Sequence, residues 1–153
     1  MLVLQAGLGS VDRRVDFRGS PHTSNMLKNL HTAREASNAS RSSFPVYRLD
    51  GLFASIWSDE RLAFAHFDVE GSELDVLNGS ETVIRRDRPV FTIEVAIKAR
   101  AYHAALRRVA DLGYRAFMVP ETCGANSDCR NLICVPRERA PTSALLRGAR
   151  ECV

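Results

Sequence analysis

The stretch from Asp68 to Glu73 places three carboxylates where a strand is predicted to end. Asp68 follows the apolar run 62–67, which has the length and composition of a strand. Gly71 permits a sharp turn, and a helix is predicted after it with Glu73 in its first turn, where negative charge is favoured. Open α/β sheets bind ligands at the carboxyl ends of strands. Asp68 and Glu70 are therefore the candidate catalytic residues, able to bind a polar group or to remove its proton.

A second acidic strand end is predicted at Glu94, near the end of the run 89–95. If the two strands are parallel, their acids meet at one edge of the sheet. Glu94 and Glu73 are then supporting residues next to a substrate or a cofactor. The alternative is structural, because acids at strand ends also cap loops and form ion pairs. The candidate partners are Arg85, Arg86 and Arg100.

The rest of the second half alternates helices and strands. A helix is predicted over 80–86, with Ser80 as its N-cap. The clearest amphipathic helix covers 101–112, with an apolar stripe that includes Leu106 and Val109 and with Gly113 as C-cap. Its water-facing residues are expected to be Arg107, Arg108 and Asp111, and two strands, 114–119 and 131–135, should follow.

The first third of the chain is less regular. Residues 2–6 read as a buried strand and 14–18 as a second strand, and the Gly-x-Gly between them is rejected as a nucleotide loop because no helix follows it. The polar segment 19–43 is predicted to be a loop with a short helix, either a cover for an active site or a surface insertion. An extended run is then predicted over 44–49.

Composition limits the function classes. With 153 residues, 45% hydrophobic and 25% charged, the chain can bury the core of one domain. Its formal net charge of +3 does not indicate a nucleic-acid partner. No run reaches the length of a membrane span and no signal peptide is recognisable, so no membrane partner and a cytoplasmic location are expected.

The cysteines and histidines are interpreted as structural. Reduced thiols are expected, because a domain of this size needs no disulfide framework, and the spacing lacks the C-x-x-C pairs of a zinc site, so no metal is predicted. His66, inside the predicted strand, is expected to be a packed neutral imidazole, and His103 a surface or boundary residue. The four cysteines are Cys123, Cys129, Cys134 and Cys152.

The ordered series FDVEGSELDVLNGSETVIRRDRPVFTIEV, LGYRAFMVP and NLICVP resembles the FkbM family of S-adenosylmethionine-dependent methyltransferases over roughly residues 2–136. Family members usually carry a lysine where this chain has His66. The resemblance implies an α/β fold with a Rossmann-like class I methyltransferase sheet, mostly parallel with an antiparallel closing strand. The predicted domain organisation is a methyltransferase domain over 1–136 and a basic tail over 137–153, outside the domain as a frayed helix.

The resemblance also implies the function. S-adenosylmethionine is the implied methyl donor, and an oxygen of a small molecule or sugar is the implied acceptor. Residues 2–12 resemble the family's third strand, so the glycine loop that binds the cofactor is expected upstream of Met1, and cofactor-binding residues stay unassigned. The alternative is an inactive remnant or interaction module that keeps the later half of the fold. In either case an exposed sheet edge is expected to favour self-association.

Overall fold

The computed structural model of this chain describes residues 3–18, 41–69, 71–96, 100–123, 129–140 and 146–153. Within these ranges the chain forms an α/β fold of two sheets and four helices. The predicted loop at 19–43 lies almost wholly outside them, as does Glu70. The strands are β1 Gly7–Leu8, β2 Arg13–Arg18, β3 Arg41–Tyr47, β4 Phe64–Phe67, β5 Val90–Ala96, β6 Tyr114–Cys123, β7 Cys129–Pro136 and β8 Arg150–Glu151. The helices are α1 Leu49–Ser55, α2 Glu73–Asn78, α3 Glu81–Asp87 and α4 Arg100–Asp111.

The larger sheet, called the main sheet below, has the strand order β4-β5-β7-β6-β8. β4 and β5 are parallel, and Phe67 lies opposite Ile93 in their last pair. β7 is antiparallel to both β5 and β6, so the predicted antiparallel closing strand is confirmed. Over both sheets, four of the described strand pairs are antiparallel and two are parallel. The described sheets are therefore mixed, and the expectation of a mostly parallel sheet is not met there.

The smaller sheet has the order β1-β3-β2 and contains the Gly-x-Gly of the first segment. A Cβ on Gly9 would lie 2.9 Å from Cγ1 of Val46 in β3, so the glycine is needed for close packing. Strand β2 follows this turn, which agrees with the rejection of a nucleotide loop. The predicted buried strand at 2–6 is wrong over its described part, because 3–6 form no strand and Val3 is 74% exposed.

The inner face of the main sheet is the face that packs on the helices. Phe67, Ile93 and Leu132, from three adjacent strands, are buried in one cluster with Leu77 of α2 and Val109 of α4. Each such side chain contributes about 1.5–3 kcal/mol by leaving water. The cluster therefore fixes β4 and β5 against the two helices that follow them.

The outer face of the main sheet has two different ends. At one end Phe117 and Ile133 form a second apolar cluster, against which Leu146 and Ala149 pack. At the other end, near the edge strand β4, Phe64 is 60% exposed. Leu146 and Ala149, which belong to the predicted tail, thus shield part of the outer face from water.

The last residues of the chain are part of the main sheet. β8 pairs antiparallel with β6, and the Ala116 N–H donates to the carbonyl of Val153. Arg115 also forms a bidentate ion pair with Glu151, at 2.7 and 2.8 Å. The prediction of a frayed helix outside the domain is wrong for 146–153, because the edge of β6 gives this segment backbone partners that its composition does not reveal.

The amphipathic helix is confirmed as α4. Leu106 and Val109 are buried, and Gly113 has a φ of +82°, as expected for a C-cap. Arg107 and His103 are exposed, as predicted. Arg108 is the exception, because it forms an ion pair with Glu81 of α3 and its side chain is only 18% exposed.

The expectation of reduced thiols is wrong for one cysteine. Cys129 is disulfide-bonded, and its neighbour across the β6–β7 ladder is Cys123. Cys134 and Cys152 are free, and burial raises the pKa of the Cys134 thiol. None of the described helices is long and apolar enough to cross a membrane.

Candidate functional site

Asp68 lies directly after β4, at the carboxyl end of the parallel strand pair. The start of β4 is anchored by the Leu62 N–H, which donates to the Asp87 carboxylate at 2.8 Å. Phe67 is buried on the inner face, so Asp68 follows the strand's alternation to the outer side, where it is exposed. Within the described residues no hydrogen bond or ion pair engages its carboxylate. The acid at the predicted catalytic position is accordingly accessible to a ligand.

Glu73 holds the turn that follows Asp68. Gly71 has a φ of +99°, which favours glycine, and its N–H donates to Oε1 of Glu73 at 2.9 Å. The Ser72 N–H donates to the carbonyl of Val69, which closes the turn. Glu73 is only 7% exposed. The described contact of the Glu73 carboxylate is therefore with the backbone of the turn. This contact fits the predicted supporting role of Glu73 and does not indicate direct proton transfer.

A small cavity lies behind this turn. It has a volume of about 30 Å³ and includes Glu73, Val95, Tyr102 and Ala105 in its lining. That volume is enough for a water molecule or a group of similar size. Burial raises the pKa of Tyr102, with a further contribution from the neighbouring Cys152 thiol, so the phenol stays protonated at neutral pH. The cavity is too small for a whole substrate.

The sheet register brings Asp68 and Glu94 to the same edge. Each stands one residue beyond the last β4–β5 pair, Phe67 and Ile93. Glu94 is half-buried and has partners of its own. The remaining candidate acid, Glu70, lies outside the described residues.

If the acids are structural, their candidate ion-pair partners are Arg85, Arg86 and Arg100. Arg85 pairs with Glu81 at 2.9 Å, and Arg86 pairs with Asp87 at 2.7 Å. Their described ion pairs are thus made within α3, and neither involves Asp68. The side chain of Arg100 lies outside the described residues.

A row of polar side chains continues from Asp68 across the outer face, and the sequence interpretation missed it. His66 is exposed, and its Nδ1 lies 2.6 Å from Oγ1 of Thr92 on β5. The expectation of a packed imidazole is wrong, because residues of β4 alternate and His66 shares the outer side with Asp68. The alternating pattern of β4 was the signal that could have revealed this. We call these residues the outer polar row: His66, Asp68, Thr92, Glu94 and Asn131.

Asn131 ends the row on β7, opposite Glu94 in the ladder. Its Oδ1 is buried and has no hydrogen-bond partner in the described part of the chain. An amide oxygen without a donor costs about 1–3 kcal/mol of stability. No three described histidine, cysteine, aspartate or glutamate side chains are grouped so that they could hold a metal ion.

The fold and the site together define an α/β domain with acids at the carboxyl ends of a parallel strand pair, followed by an antiparallel closing pair. Residues 6–116 match the methyltransferase FkbM domain, which is more than half of the 153-residue chain. The chain belongs to the FkbM methyltransferase domain family. Neither the curated proteins nor the solved structures contain a match to it.

Proposed function

We propose that this domain acts in S-adenosylmethionine-dependent methyl transfer to an oxygen of a small molecule or sugar. The observation that carries the proposal is the exposed Asp68 at the end of β4, inside the segment that matches the family. Methyl transfer is an in-line displacement, so a protein mainly orients the acceptor and can remove its proton. Asp68 is accessible enough for both roles.

Each predicted site residue has a separate role in this proposal. Asp68 accepts the proton of the acceptor hydroxyl, and Glu70, two residues later in the sequence, is proposed as a second catalytic carboxylate. Glu73 keeps the turn in place through the Gly71 N–H. Glu94 stands, like Asp68, one residue beyond the last β4–β5 pair and is proposed as a supporting acid next to the acceptor.

A Rossmann-like class I arrangement is part of the proposal. It is supported by the parallel β4–β5 pair, the antiparallel β7 and the placement of α2 and α4 on one face of the main sheet. The donor side of the site is not assigned to residues. The Gly7-x-Gly9 turn does not supply it, because its glycines pack against β3.

The direct test is a transfer assay with radiolabelled S-adenosylmethionine. The donor is supplied at about 5 mM, so that an affinity weakened from the micromolar range still gives occupancy. The acceptors are methyl glycosides, inositol and simple alcohols, and the products are separated by chromatography. Label in an ether bond of an acceptor supports the proposal, whereas absence of transfer to every acceptor contradicts it.

A second candidate function is an interaction module that pairs with another copy of itself. It is favoured by β4, which is the end strand of the main sheet in the described part of the chain and carries the 60% exposed Phe64. An antiparallel pairing of two β4 strands about a twofold axis sets Arg61 of each copy near the acids that follow β4 in the other. This complementarity favours a second copy as the partner.

Light scattering across a range of protein concentrations tests this pairing. A concentration-dependent dimer that the Phe64→Lys variant abolishes would support it. Ile56→Lys is the matched control, because Ile56 is also exposed, at 51%, but lies just after α1. A monomer at all concentrations, or equal effects of the two variants, would contradict it.

A further inference from the structure

We propose that the outer polar row binds a polyhydroxylated ligand, of the class of a sugar ring or a cyclic polyol. The inference rests on the proposed function, in which this ligand would be the methyl acceptor. It extends that function by assigning the acceptor to the outer face of the main sheet, with Phe64, His66 and Thr92 as its contacts beside Asp68.

The row has the dimensions of a small ring with several substituents. Thr92 lies on β5, the strand next to β4, and Asn131 lies on β7, one strand further from β4. Adjacent strands are about 4.8 Å apart, so the row spans about 10 Å across the sheet. His66 and Asp68 are two residues apart, or about 7 Å along β4. A single ammonium or methyl group would occupy only a fraction of this area. A ligand that uses the row needs hydrogen-bonding groups on several sides.

The chemistry of the row selects hydrogen-bond donors. Asp68 is exposed and is an acceptor when ionised, and the half-buried Glu94 also carries acceptor oxygens, whereas the Asn131 Oδ1 is buried. The Thr92 hydroxyl is held in position by His66. A hydroxyl group of a ligand can donate to the exposed Asp68 carboxylate, whereas phosphate and other anions would be repelled by its negative charge.

Phe64 adds an apolar surface at the edge of the row. Its ring belongs to the outer side of β4, two residues before His66, and is 60% exposed. A sugar ring has C–H groups on its faces and hydroxyls around its rim. It can therefore cover the Phe64 ring and donate hydrogen bonds to the row at the same time.

The outer polar row also places such a ligand next to Asp68, the residue proposed to remove its proton. Phe64, His66 and Asp68 lie on the same side of β4, because residues two apart in a strand share a face. A ring bound over Phe64 and His66 has its far hydroxyl at Asp68. The residue proposed to remove the proton is thus at the end of the binding surface.

The first experiment uses the complete chain without any methyl donor. Amide shifts in ¹⁵N-labelled protein are followed while methyl α-D-glucopyranoside, methyl α-L-rhamnopyranoside or myo-inositol is added to about 50 mM, a range suited to dissociation constants near 1 mM. We expect saturable shifts in β4, β5 and the start of β7. Choline chloride and sodium phosphate are the counter-probes. Shifts with choline alone, with phosphate alone, or with no probe would overturn the inference.

Two variants and two matched controls test the named contacts. Phe64→Ala and Thr92→Val should each weaken sugar binding by about three- to tenfold, since each removes one contact. Ile56→Ala removes another exposed apolar side chain, after α1, and Thr82→Val removes an exposed hydroxyl in α3, so both should leave binding unchanged. Equal affinity in all four variants would overturn the assignment of the ligand to this face.

Sugar binding to the outer polar row and methyl transfer can fail independently of each other. Sugar binding in the absence of a methyl donor supports the inference even if no transfer is observed. Conversely, transfer to an oxygen with the same KM for the acceptor in wild type, Phe64→Ala and Thr92→Val would keep the function and reject this binding surface. Thr92 lies within the sheet on β5, so its variant does not alter the β4 edge proposed for self-association.

Discussion

Asp50 shows how one side chain joins two parts of the chain. Its carboxylate accepts from the N–H groups of Thr82 and Val83, at 3.1 and 2.9 Å, in the first turn of α3. Ser80 was predicted to be the N-cap of this helix. Its hydroxyl instead donates to the carbonyl of Val76 at 2.6 Å. The cap of α3 therefore comes from α1, thirty residues earlier in the chain.

We predict that Asp50→Ala lowers the free energy of unfolding by about 0.5–2 kcal/mol, the usual cost of losing a helix cap. Urea denaturation followed by circular dichroism measures this. Asp59→Ala is the control, because Asp59 is exposed and outside any helix. Equal stability of Asp50→Ala and the wild type would show that water replaces the cap without cost.

The Glu138 carboxyl, whose pKa is lowered in the folded chain, makes the stability of the fold depend on pH. Its bidentate bonds with Arg88, both 2.7 Å long, lower the pKa of the carboxyl from the ordinary 4.5 to about 2. A depressed folded-state pKa stabilises the folded chain above the unfolded value. That stability is lost as the pH falls from about 4.5 through about 2.

The matching prediction concerns Glu138→Gln. The variant should show a shallower loss of stability than the wild type between pH 4.5 and pH 2, because the amide does not titrate. Thermal melts at several pH values measure the slope. Other acids with lowered pKa values, such as Glu81 and Asp87, keep their contribution in both proteins. Parallel slopes would contradict the assignment of the shift to the Arg88 pair.

At the scale of elements, Arg88 connects the end of α3 to the end of α4 and to β6. Its guanidinium donates to the carbonyls of Leu112 and Gly113, at 2.8 and 2.9 Å. It also lies over the Tyr114 ring, 4.5 Å from the centroid. Burial of that ring raises the pKa of the Tyr114 phenol. The Arg88 side chain thus binds the carbonyls at the end of α4 and positions β6, the strand that follows α4.

We predict that Arg88→Lys destabilises the fold by about 1.5–3 kcal/mol, because an ammonium group cannot reproduce the planar set of donors. Both residues have the same backbone preference, so the αL conformation at this position, with φ of +51°, does not confound the comparison. Arg107→Lys on the exposed side of α4 is the control. Chemical denaturation should separate the two variants, and equal stabilities would contradict the proposed role.

The elements that sequence predicted well are those with strong local patterns. The stripe of α4 and the glycine after it identify a helix without any tertiary information. The segment 146–153 was not recognised, since the strand β8 is two residues long and depends on the edge of β6. The prediction of a buried strand at 2–6 failed for a related reason, because apolar composition does not show whether a neighbouring strand is present.

The candidate site was only partly predictable for the same physical reason. Asp68 could be found because a strand, a glycine and a helix start are consecutive in the sequence. Thr92 and Asn131 could not, because their relation to His66 and Glu94 depends on strand register. The disulfide of Cys129 likewise follows from the pairing of β6 with β7 and not from cysteine spacing.

At the scale of the whole molecule, the account predicts weak binding of the methyl donor. The described residues provide carboxylates and the proposed acceptor surface, and their one Gly-x-Gly turn packs on β3. Each missing hydrogen bond to a polar or charged ligand group costs about 1.5–3 kcal/mol, and two or three would remove most micromolar affinity. Isothermal titration calorimetry of the 153-residue chain should show no saturable binding of S-adenosylmethionine at micromolar concentration. Saturable micromolar binding would mean that other residues of the chain complete the donor side.

If Asp68 removes the acceptor's proton at the end of β4, the Asp68→Asn variant should lose methyl-transfer activity while keeping its fold. The substitution is nearly isosteric, and no described contact of the fold depends on the carboxylate, so circular dichroism should be unchanged. In the radiolabel assay at millimolar donor, Asp59→Asn should match the wild type, since Asp59 is exposed and lies before β4. We predict that Asp68→Asn lowers kcat by about tenfold or more, as expected when a positioned base is lost. A kcat equal to that of the wild type would contradict the account.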